Sequence, residues 1–307
     1  MLLTPDQEPT MPLSRRTFVA GSVAAAMPAA AAPTKGTLPQ SVCFWCFGSN
    51  GEKWSLDDTC RVTAELGGKS VELLDAKQWP TVYKHGLTCA IAGNGFPKTG
   101  FKYGLNNPRH NADVVAATKA RIAECAAAKV PSVIGFVGYK WLNPDDPKSG
   151  EITRDDAERN CVKCLRELAG VAEKAGVTVC VEHLNSRDDS HPMKGHPGYQ
   201  GDDLDFVCRV LRAVGSPRVK LLFDVYHVQV MHGDLIRRID QCRDLIGHVH
   251  TAGCPGRNEI GDDQEIHYPA VMKKLAAVGY RGYVGHEFIP TRNPRAGLTE
   301  AMRLCDV

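Results

Sequence analysis

The sequence predicts a single (β/α)8 barrel, that is, a closed ring of eight parallel strands with helices between them. From residue 41 onward, short β-branched apolar runs alternate with amphipathic stretches, which is typical of βαβ units. Eight such units suit a closed barrel better than an open doubly wound sheet. No Gly-x-Gly-x-x-Gly motif follows the first apolar run, so a dinucleotide-binding sheet would lack its phosphate loop.

The eight predicted strands are Ser41–Phe47, Ser70–Leu74, Thr88–Ala92, Ser132–Val137, Thr178–His183, Val219–Asp224, Gly247–Thr251 and Gly282–Phe288. The predicted helices are Leu56–Leu66, Asn111–Ala128, Arg154–Ala175, Asp203–Val214, Asp234–Cys242, Tyr268–Val278 and a last one near Leu298–Leu304. The segment Lys77–His85 has room only for a short helix. Gly176 and Gly279 each follow a predicted helix and precede a strand, where glycine commonly ends a helix.

Residues 1–36 differ in composition from the rest and are predicted to lie outside the barrel, which covers residues 37–307. Ser14-Arg15-Arg16-Thr17-Phe18 precedes a mildly apolar run and an alanine-rich stretch. This pattern resembles a twin-arginine export signal, which implies an exported, periplasmic or extracytoplasmic protein. An alanine-rich tail or a first helix is the alternative interpretation.

The composition excludes some functional classes. The 307 residues carry a formal net charge of +2 with both signs interspersed, which gives no electrostatic reason to expect nucleic acid as a partner. No apolar run is long enough for a stable membrane span.

The twelve cysteines are predicted to be mainly buried free thiols. Cys43-x-x-Cys46 and Cys161-x-x-Cys164 have the spacing of zinc ligands. However, the first pair falls in a predicted strand, where residues i and i+3 face opposite sides. The second pair falls in a predicted helix, where two small core residues would have the same spacing. A structural zinc site and a disulfide remain as lesser alternatives.

Polar residues at the carboxyl ends of the last four strands predict a metal site, because barrel chemistry is located at that end. The four residues are Glu182, Asp224, His250 and Glu287. Three carboxylates and one imidazole suit a hard divalent cation such as Mn²⁺, Mg²⁺ or Co²⁺. Each residue alone is as easily a helix cap or a solvated loop residue, but matching places on four consecutive strands favour a metal.

The other histidines near these strands are assigned different positions. His248 lies one layer deeper than His250 on the same face and is predicted to be a hydrogen-bonded neighbour. His183 and His286 are out of phase with the neighbouring ligands and are predicted to pack against helices. His191 and His196 fall in the long loop 186–203, which is expected to cover the site.

Several stretches resemble the hydroxypyruvate isomerase family within the xylose-isomerase-like barrel superfamily. They are Val181–Asp188, Leu222–Gln229, Gly247–Ala252, Pro255–Glu259, Glu265–Pro269 and Gly282–Phe288. The loop Pro255-Gly256-Arg257-Asn258-Glu259 is the most specific of them. The seventh-strand ligand in that family is Gln or His, and His250 is also the choice of the ketose 3-epimerases.

The resemblance implies a metal held by Glu182, Asp224, His250 and Glu287. It also implies that Glu182 and Glu287 are the catalytic acid and base, and that His227 and Arg257 contact the substrate. Arg257 suits a substrate carboxylate because its planar guanidinium binds carboxylates in a bidentate manner; a loop salt bridge with Glu259 or Asp262 is the alternative. Homo-oligomers are common in the superfamily, although no interface pattern is evident in this sequence.

The predicted activity is isomerisation, an intramolecular oxidoreduction of a small hydroxy-keto acid, with hydroxypyruvate converted to tartronate semialdehyde. The metal would stabilise the enediolate formed when one carboxylate removes a carbon-bound proton and the other returns it. A ketose 3-epimerase or another sugar isomerase would use the same chemistry. An abasic-site endonuclease, which would need more metal ligands and a basic surface, and a non-catalytic sugar-binding barrel are lesser alternatives.

Overall fold

The computed structural model describes residues 36–307, and these form the predicted (β/α)8 barrel. The predicted export signal falls on residues 1–36, and all but the last of them lie outside the described residues. Within the described range, no helix is both long enough and apolar enough to cross a membrane.

Seven parallel strands form one curved sheet with the order β2-β1-β9-β8-β7-β6-β3. Their bounds are β1 Gln40–Cys43, β2 Ser70–Glu72, β3 Ser132–Phe136, β6 Thr178–Glu182, β7 Val219–Asp224, β8 Ile246–Thr251 and β9 Val284–His286. The strands β4 Trp141–Asn143 and β5 Asp146–Glu151 form a separate antiparallel hairpin that was not predicted.

The eighth barrel position is filled by residues 88–92, which the sequence predicted to be a regular strand. Instead this segment makes single parallel bridges, with Thr88 on Ser70 of β2 and Ala92 on Val133 of β3. The bridges join the two edge strands of the sheet, so the ring is closed although the segment itself is irregular.

The α-helices are α1 Phe44–Ser49, α2 Leu56–Glu65, α3 Trp79–Lys84, α4 Asn111–Ala128, α5 Arg154–Ala175, α6 Leu204–Val214, α7 Val225–Met231, α8 Leu235–Cys242, α9 Tyr268–Ala277 and α10 Pro294–Leu304. A 3-10 turn, Ala76–Gln78, precedes α3 and confirms a short helical segment there. Ser55 begins α2 by accepting a hydrogen bond from the Asp58 amide, and Gly176 ends α5 in the left-handed conformation.

The first predicted strand is wrong in its second half. The strand ends at Cys43, and the aromatic residues that follow turn into α1. Cys46 therefore lies on a helix, and the argument that Cys43 and Cys46 face opposite sides of one strand does not apply. The conclusion about the thiols is nevertheless confirmed, because all twelve cysteines are buried and free.

The strands are buried on both faces because helices cover the outside and side chains fill the inside. Ile91, Ile134, Cys180 and Leu222 form a separate apolar cluster. Above it, the carboxyl ends of the strands carry the polar residues of the candidate site. Their alignment follows from the register, since Cys43 pairs with Glu72 and Asp224 pairs with His250.

Candidate active site and metal centre

The four predicted ligands come together at the carboxyl end of the barrel. One ligand atom each from Glu182, Asp224, His250 and Glu287 lies within 4.8 Å of all the others, and all four residues are buried. Ligands on opposite sides of a divalent cation stand roughly 4–5 Å apart, twice a typical metal–oxygen distance. The spacing of the quartet therefore fits a single cation.

An unsatisfied polar atom in the quartet also fits a cation. Among the described residues, Glu182 Oε1 is buried without a hydrogen-bond partner. His250 Nδ1 lies 2.8 Å from Glu287 Oε2 and 3.6 Å from Glu182 Oε1. A buried carboxylate oxygen without a partner is costly unless something binds it, and a divalent metal held between these three residues would satisfy it.

Asp224 divides its two oxygens between a helix and the site. It is the last residue of β7 and the N-cap of α7, where Oδ1 accepts hydrogen bonds from the amides of Tyr226 at 2.8 Å and His227 at 3.1 Å. Its Oδ2 faces the quartet and lies 3.3 Å from the Arg257 guanidinium. The cap therefore orients Asp224 so that one oxygen stays available as a ligand.

Arg257 places a positive charge beside the carboxylates. Its Nη2 bonds both Asp224 and Glu287, and its Nη1 bonds the carbonyl of Met193. Glu259 and Asp262, the partners of the alternative interpretation, are not its partners here. The backbone of Arg257 is left-handed, with φ of 55°, a conformation uncommon for residues other than glycine and frequent at functional sites.

The two predicted catalytic glutamates have different electrostatic environments. Burial, reinforced by the nearby Glu287 charge, raises the pKa of Glu182 to about 7. Burial also acts on Glu287, but the charges of Arg257 and His250 outweigh it and hold the pKa of Glu287 well below its usual value. Trp45 Nε1, from α1, donates a further hydrogen bond to Glu287 at 2.8 Å. A bound cation would lower the pKa of Glu182 as well.

Glu72 is a buried carboxylate behind the quartet that the sequence interpretation did not identify. Its Oε1 accepts hydrogen bonds from Nε2 of His250 at 2.9 Å and from Nε2 of His248 at 3.0 Å, while Cys43 Sγ lies at 3.4 Å. The prediction that His248 is a hydrogen-bonded neighbour is confirmed. Because Glu72 accepts from Nε2 of His250, it turns Nδ1 toward the quartet.

Gly285 makes room for this carboxylate. A Cβ at position 285 would lie 2.3 Å from Glu72 Oε1 and 2.9 Å from His250 Cδ2. Only glycine leaves the space that β9 needs to pass this close to Glu72. Cys43, Glu72 and His250 also form a second group with metal-ligand spacing, but it shares His250 with the quartet and Glu72 already holds that ring by a hydrogen bond.

The remaining predicted residues differ in how they are placed relative to the quartet. His227 is fully buried, and its Nδ1 accepts a hydrogen bond from the Asn185 amide at 3.1 Å. Its Nε2, which has no hydrogen-bond partner among the described residues, lies 3.6 Å from Asp224 Oδ2. The substrate contacts assigned to His227 and Arg257 therefore stay predictions. His183 bonds the Asp202 carbonyl, and His286 bonds Thr251 and Gln40, so neither points into the quartet.

A cavity of about 260 Å³ opens onto the quartet. Glu182, Glu287 and Arg257 line it together with aromatic side chains, including Trp45 and Phe101. His196 of the loop 186–203 also lines it, whereas His191 of the same loop does not. The arrangement can hold a small polar molecule against a cation with a carboxylate on either side.

Comparison with known proteins identifies the family. The sequence profile of the xylose isomerase-like TIM barrel matches residues 60–306. The chain is 35% identical over 134 residues to 2-oxo-tetronate isomerase of Cupriavidus necator, covering 44% of this chain and 48% of that protein. It is 31% identical over 137 residues to hydroxypyruvate isomerase of Escherichia coli, covering 45% and 50%. The chain thus matches about half the length of these curated relatives.

A solved structure shows the same fold over most of the chain. The structure described as an AP endonuclease of family 2 from Brucella melitensis superposes with a TM-score of 0.68 at 25% identity, covering 85% of this chain and 97% of that one. The matching profile covers far more than half of the sequence, and the strand order and closed ring agree with it. The chain belongs to the xylose isomerase-like TIM barrel family.

Proposed function

We propose that this protein is a metal-dependent isomerase of a small hydroxy-keto acid, with hydroxypyruvate as substrate and tartronate semialdehyde as product. The observation that carries the proposal is the pair Glu182 and Glu287, two buried carboxylates that line one cavity and belong to a quartet with metal-ligand spacing. Relatives named hydroxypyruvate isomerase and 2-oxo-tetronate isomerase support the same substrate class.

The quartet would hold a divalent cation such as Mn²⁺, Mg²⁺ or Co²⁺. When bound, this cation would act as a Lewis acid on the adjacent carbonyl and hydroxyl oxygens of the substrate. The protein supplies the orientation: Asp224 is fixed by its helix cap, and His250 is fixed by Glu72.

The two glutamates would carry the proton between neighbouring carbons. One carboxylate removes a proton from the hydroxymethyl carbon of hydroxypyruvate, which leaves an enediolate, and the other delivers a proton to the former ketone carbon. The hydroxyl proton of the hydroxymethyl group passes to the former ketone oxygen, so that an aldehyde and a new hydroxyl result. Trp45 and Arg257 both bond Glu287, so this carboxylate keeps one position while the proton moves. The aromatic walls of the cavity restrict water around the intermediate.

The test uses the purified full-length chain with each of the three cations, hydroxypyruvate as substrate and D₂O as solvent. Proton transfer through solvent-exchangeable carboxylates predicts product formation with deuterium at the former ketone carbon, visible by NMR. Glu287→Gln should lower kcat by about 10²–10⁴-fold, the typical contribution of a proton-transfer group. Glu167→Gln, at an exposed ion pair with Lys119, is the matched control. Unchanged turnover in Glu287→Gln would show that the paired-carboxylate mechanism is wrong.

A ketose 3-epimerase is the second candidate, because His250 is the ligand type that those enzymes use on the seventh strand. It would use the same pair of glutamates but invert one carbon instead of moving a carbonyl. Turnover of free ketohexoses without turnover of hydroxypyruvate would favour this candidate over the first.

We also propose export through a twin-arginine route, on the strength of Ser14-Arg15-Arg16-Thr17-Phe18 alone. Changing both Arg15 and Arg16 to Lys should retain the protein in the cytoplasm of a bacterial host. If the parent and this variant are found in the same cellular fractions in equal amounts, the proposal is refuted.

A further inference from the structure

The cavity above the quartet has two chemically different regions. Glu182, Glu287 and Arg257 line the part of it next to the quartet. His196 forms part of the wall, and Lys98, which is exposed, lies where the cavity meets solvent. Neither of these two residues has a role in the isomerisation described above.

His196 is a buried imidazole with an unsatisfied ring nitrogen. The residue is 2% exposed, and its Nδ1 is buried with no hydrogen-bond partner among residues 36–307. Its ring packs on Phe101, with 4.2 Å between the ring centroids, and its backbone amide donates to the Asn185 carbonyl at 2.8 Å. The ring is therefore held in place while a buried ring nitrogen stays unsatisfied, which is expected of a group that binds a ligand.

Lys98 is the cavity cation that is left for an anionic ligand. Arg257, the other cation in the lining, already bonds Asp224 and Glu287. Lys98 Nζ instead lies 4.7 Å from the ring centroid of Tyr103; its charge acts on Asp145, but the two form no ion pair. An anionic group on a ligand would be attracted toward Lys98.

We propose that His196 and Lys98 form a carboxylate subsite that selects hydroxy-keto acids over neutral ketoses. A ring N–H of His196 donates to the carboxylate, and Lys98 supplies the opposing charge. The inference rests on the proposed isomerase function and deepens it, because it states which end of the cavity receives the acid group. The hydroxy-ketone end of the substrate then faces Glu182 and Glu287.

The first experiment measures turnover by the full-length, Mn²⁺-loaded enzyme. His196→Phe keeps a packing ring without a donor, His196→Asn keeps a donor, and Lys98→Met removes the charge. Loss of one charge-assisted hydrogen bond should raise KM for hydroxypyruvate about tenfold in His196→Phe and Lys98→Met, with kcat nearly unchanged. His196→Asn should recover most of the affinity, and KM for neutral dihydroxyacetone should not change in any variant.

Matched controls come from the same two loops. His191→Phe and Lys102→Met replace the same residue types outside this cavity, and both should behave like the parent enzyme. If His196→Phe does not fold, His196→Asn and Lys98→Met still decide the question. Equal changes in KM for the acid and for the neutral ketone would overturn the subsite.

A binding experiment separates failure of the subsite from failure of the proposed function. Glycerate is a hydroxy acid with no carbonyl group to isomerise, and glycerol is its neutral counterpart. Calorimetry should show that the parent binds glycerate more tightly than glycerol, and that His196→Phe and Lys98→Met bind glycerate about tenfold more weakly. If glycerate binds in this way but hydroxypyruvate is not turned over, the proposed subsite is supported and the proposed isomerase function is rejected. Equal glycerate binding by parent and variants, or no binding by the parent, would reject the subsite.

Discussion

Glu72→Gln is the substitution that most directly tests how the barrel prepares its metal site. Glu72 is fully buried, and one of its oxygens accepts hydrogen bonds from both His250 and His248. Glutamine has nearly the same shape but carries no charge, so its amide oxygen is a weaker hydrogen-bond acceptor for both histidines. We expect Nδ1 of His250 to be less firmly directed at the quartet.

The expected size of the effect follows from the bond that is weakened. A hydrogen bond to a charged group contributes about 1.5–3 kcal/mol, and a neutral one about 0.5–1.5 kcal/mol. Replacing the charged acceptor of His250 therefore costs about 1–2 kcal/mol. Loss of a group that orients a metal-binding histidine typically lowers metal affinity about 10–100-fold, or about 1.4–2.7 kcal/mol, which agrees with this figure.

The assay is a Mn²⁺ titration of metal-free protein by calorimetry, with competition by a chelator where binding is tight. Circular dichroism establishes that the variant is folded, and saturating Mn²⁺ should restore most of its kcat. Glu65→Gln, on the surface beside Arg295, changes the same charge far from the site and is the control. A folded Glu72→Gln protein with the Mn²⁺ affinity of the parent would refute the idea that Glu72 orients His250.

Three further predictions concern stability and are measured by urea unfolding. Ser55→Ala removes the oxygen that accepts from the Asp58 amide at the start of α2 and should cost about 1 kcal/mol. Leu222→Ala, at a fully buried position in the apolar cluster with Ile91, should cost about 3–5 kcal/mol. Burial lowers the pKa of His183 to about 4, and an unfolded histidine has a pKa of about 6.5, so the unfolded state binds more protons between these values. Stability should fall by up to about 3 kcal/mol as the pH drops from 6.5 to 4, and His183→Gln should flatten that slope.

For each of these three stability predictions, one outcome would contradict it. An unchanged unfolding midpoint in Ser55→Ala would show that the cap contributes nothing measurable. A loss below about 1 kcal/mol in Leu222→Ala would mean that the barrel interior closes over the missing atoms. Parallel pH profiles for the parent and His183→Gln would assign the acid sensitivity to other buried groups.

The metal quartet was predictable from sequence because a parallel barrel brings the ends of its strands together. Each ligand lies at or next to the carboxyl end of a predicted strand, so the topology alone implies that Glu182 and Glu287 meet. The strand-end position identifies both residues without a local sequence motif. The same rule could not assign the contacts of Arg257, because these depend on the path of an irregular loop.

Glu72 was missed because it lies inside an apolar run. Val71 and Leu73 flank it, and nothing in the local composition separates it from a residue that faces a helix. The signal was nevertheless present, since Glu72 ends the second strand as the ligands end the later ones. Applying the strand-end rule to every strand would have found it.

The remaining differences between predicted and observed secondary structure fall in segments whose local sequence does not decide between helix, strand and loop. Phe44–Ser49 is apolar and aromatic, as a buried strand would be, and no side chain caps its start. It becomes a helix because tertiary packing decides the conformation of short segments with weak preferences. The exposed strand β5, Asp146–Glu151, has no apolar alternation at all and depends on pairing with β4.

The divided role of Asp224 limits how the metal preference of this barrel can be redesigned. A longer Glu would carry its carboxylate beyond reach of the α7 amides, and Asn would keep the cap but give up the charge. Any change at this position therefore alters the start of the helix and the cation site together. His250 carries no such duty toward a helix, but its Nε2 bonds the buried Glu72, so a change at this position would disturb that carboxylate instead of the start of α7.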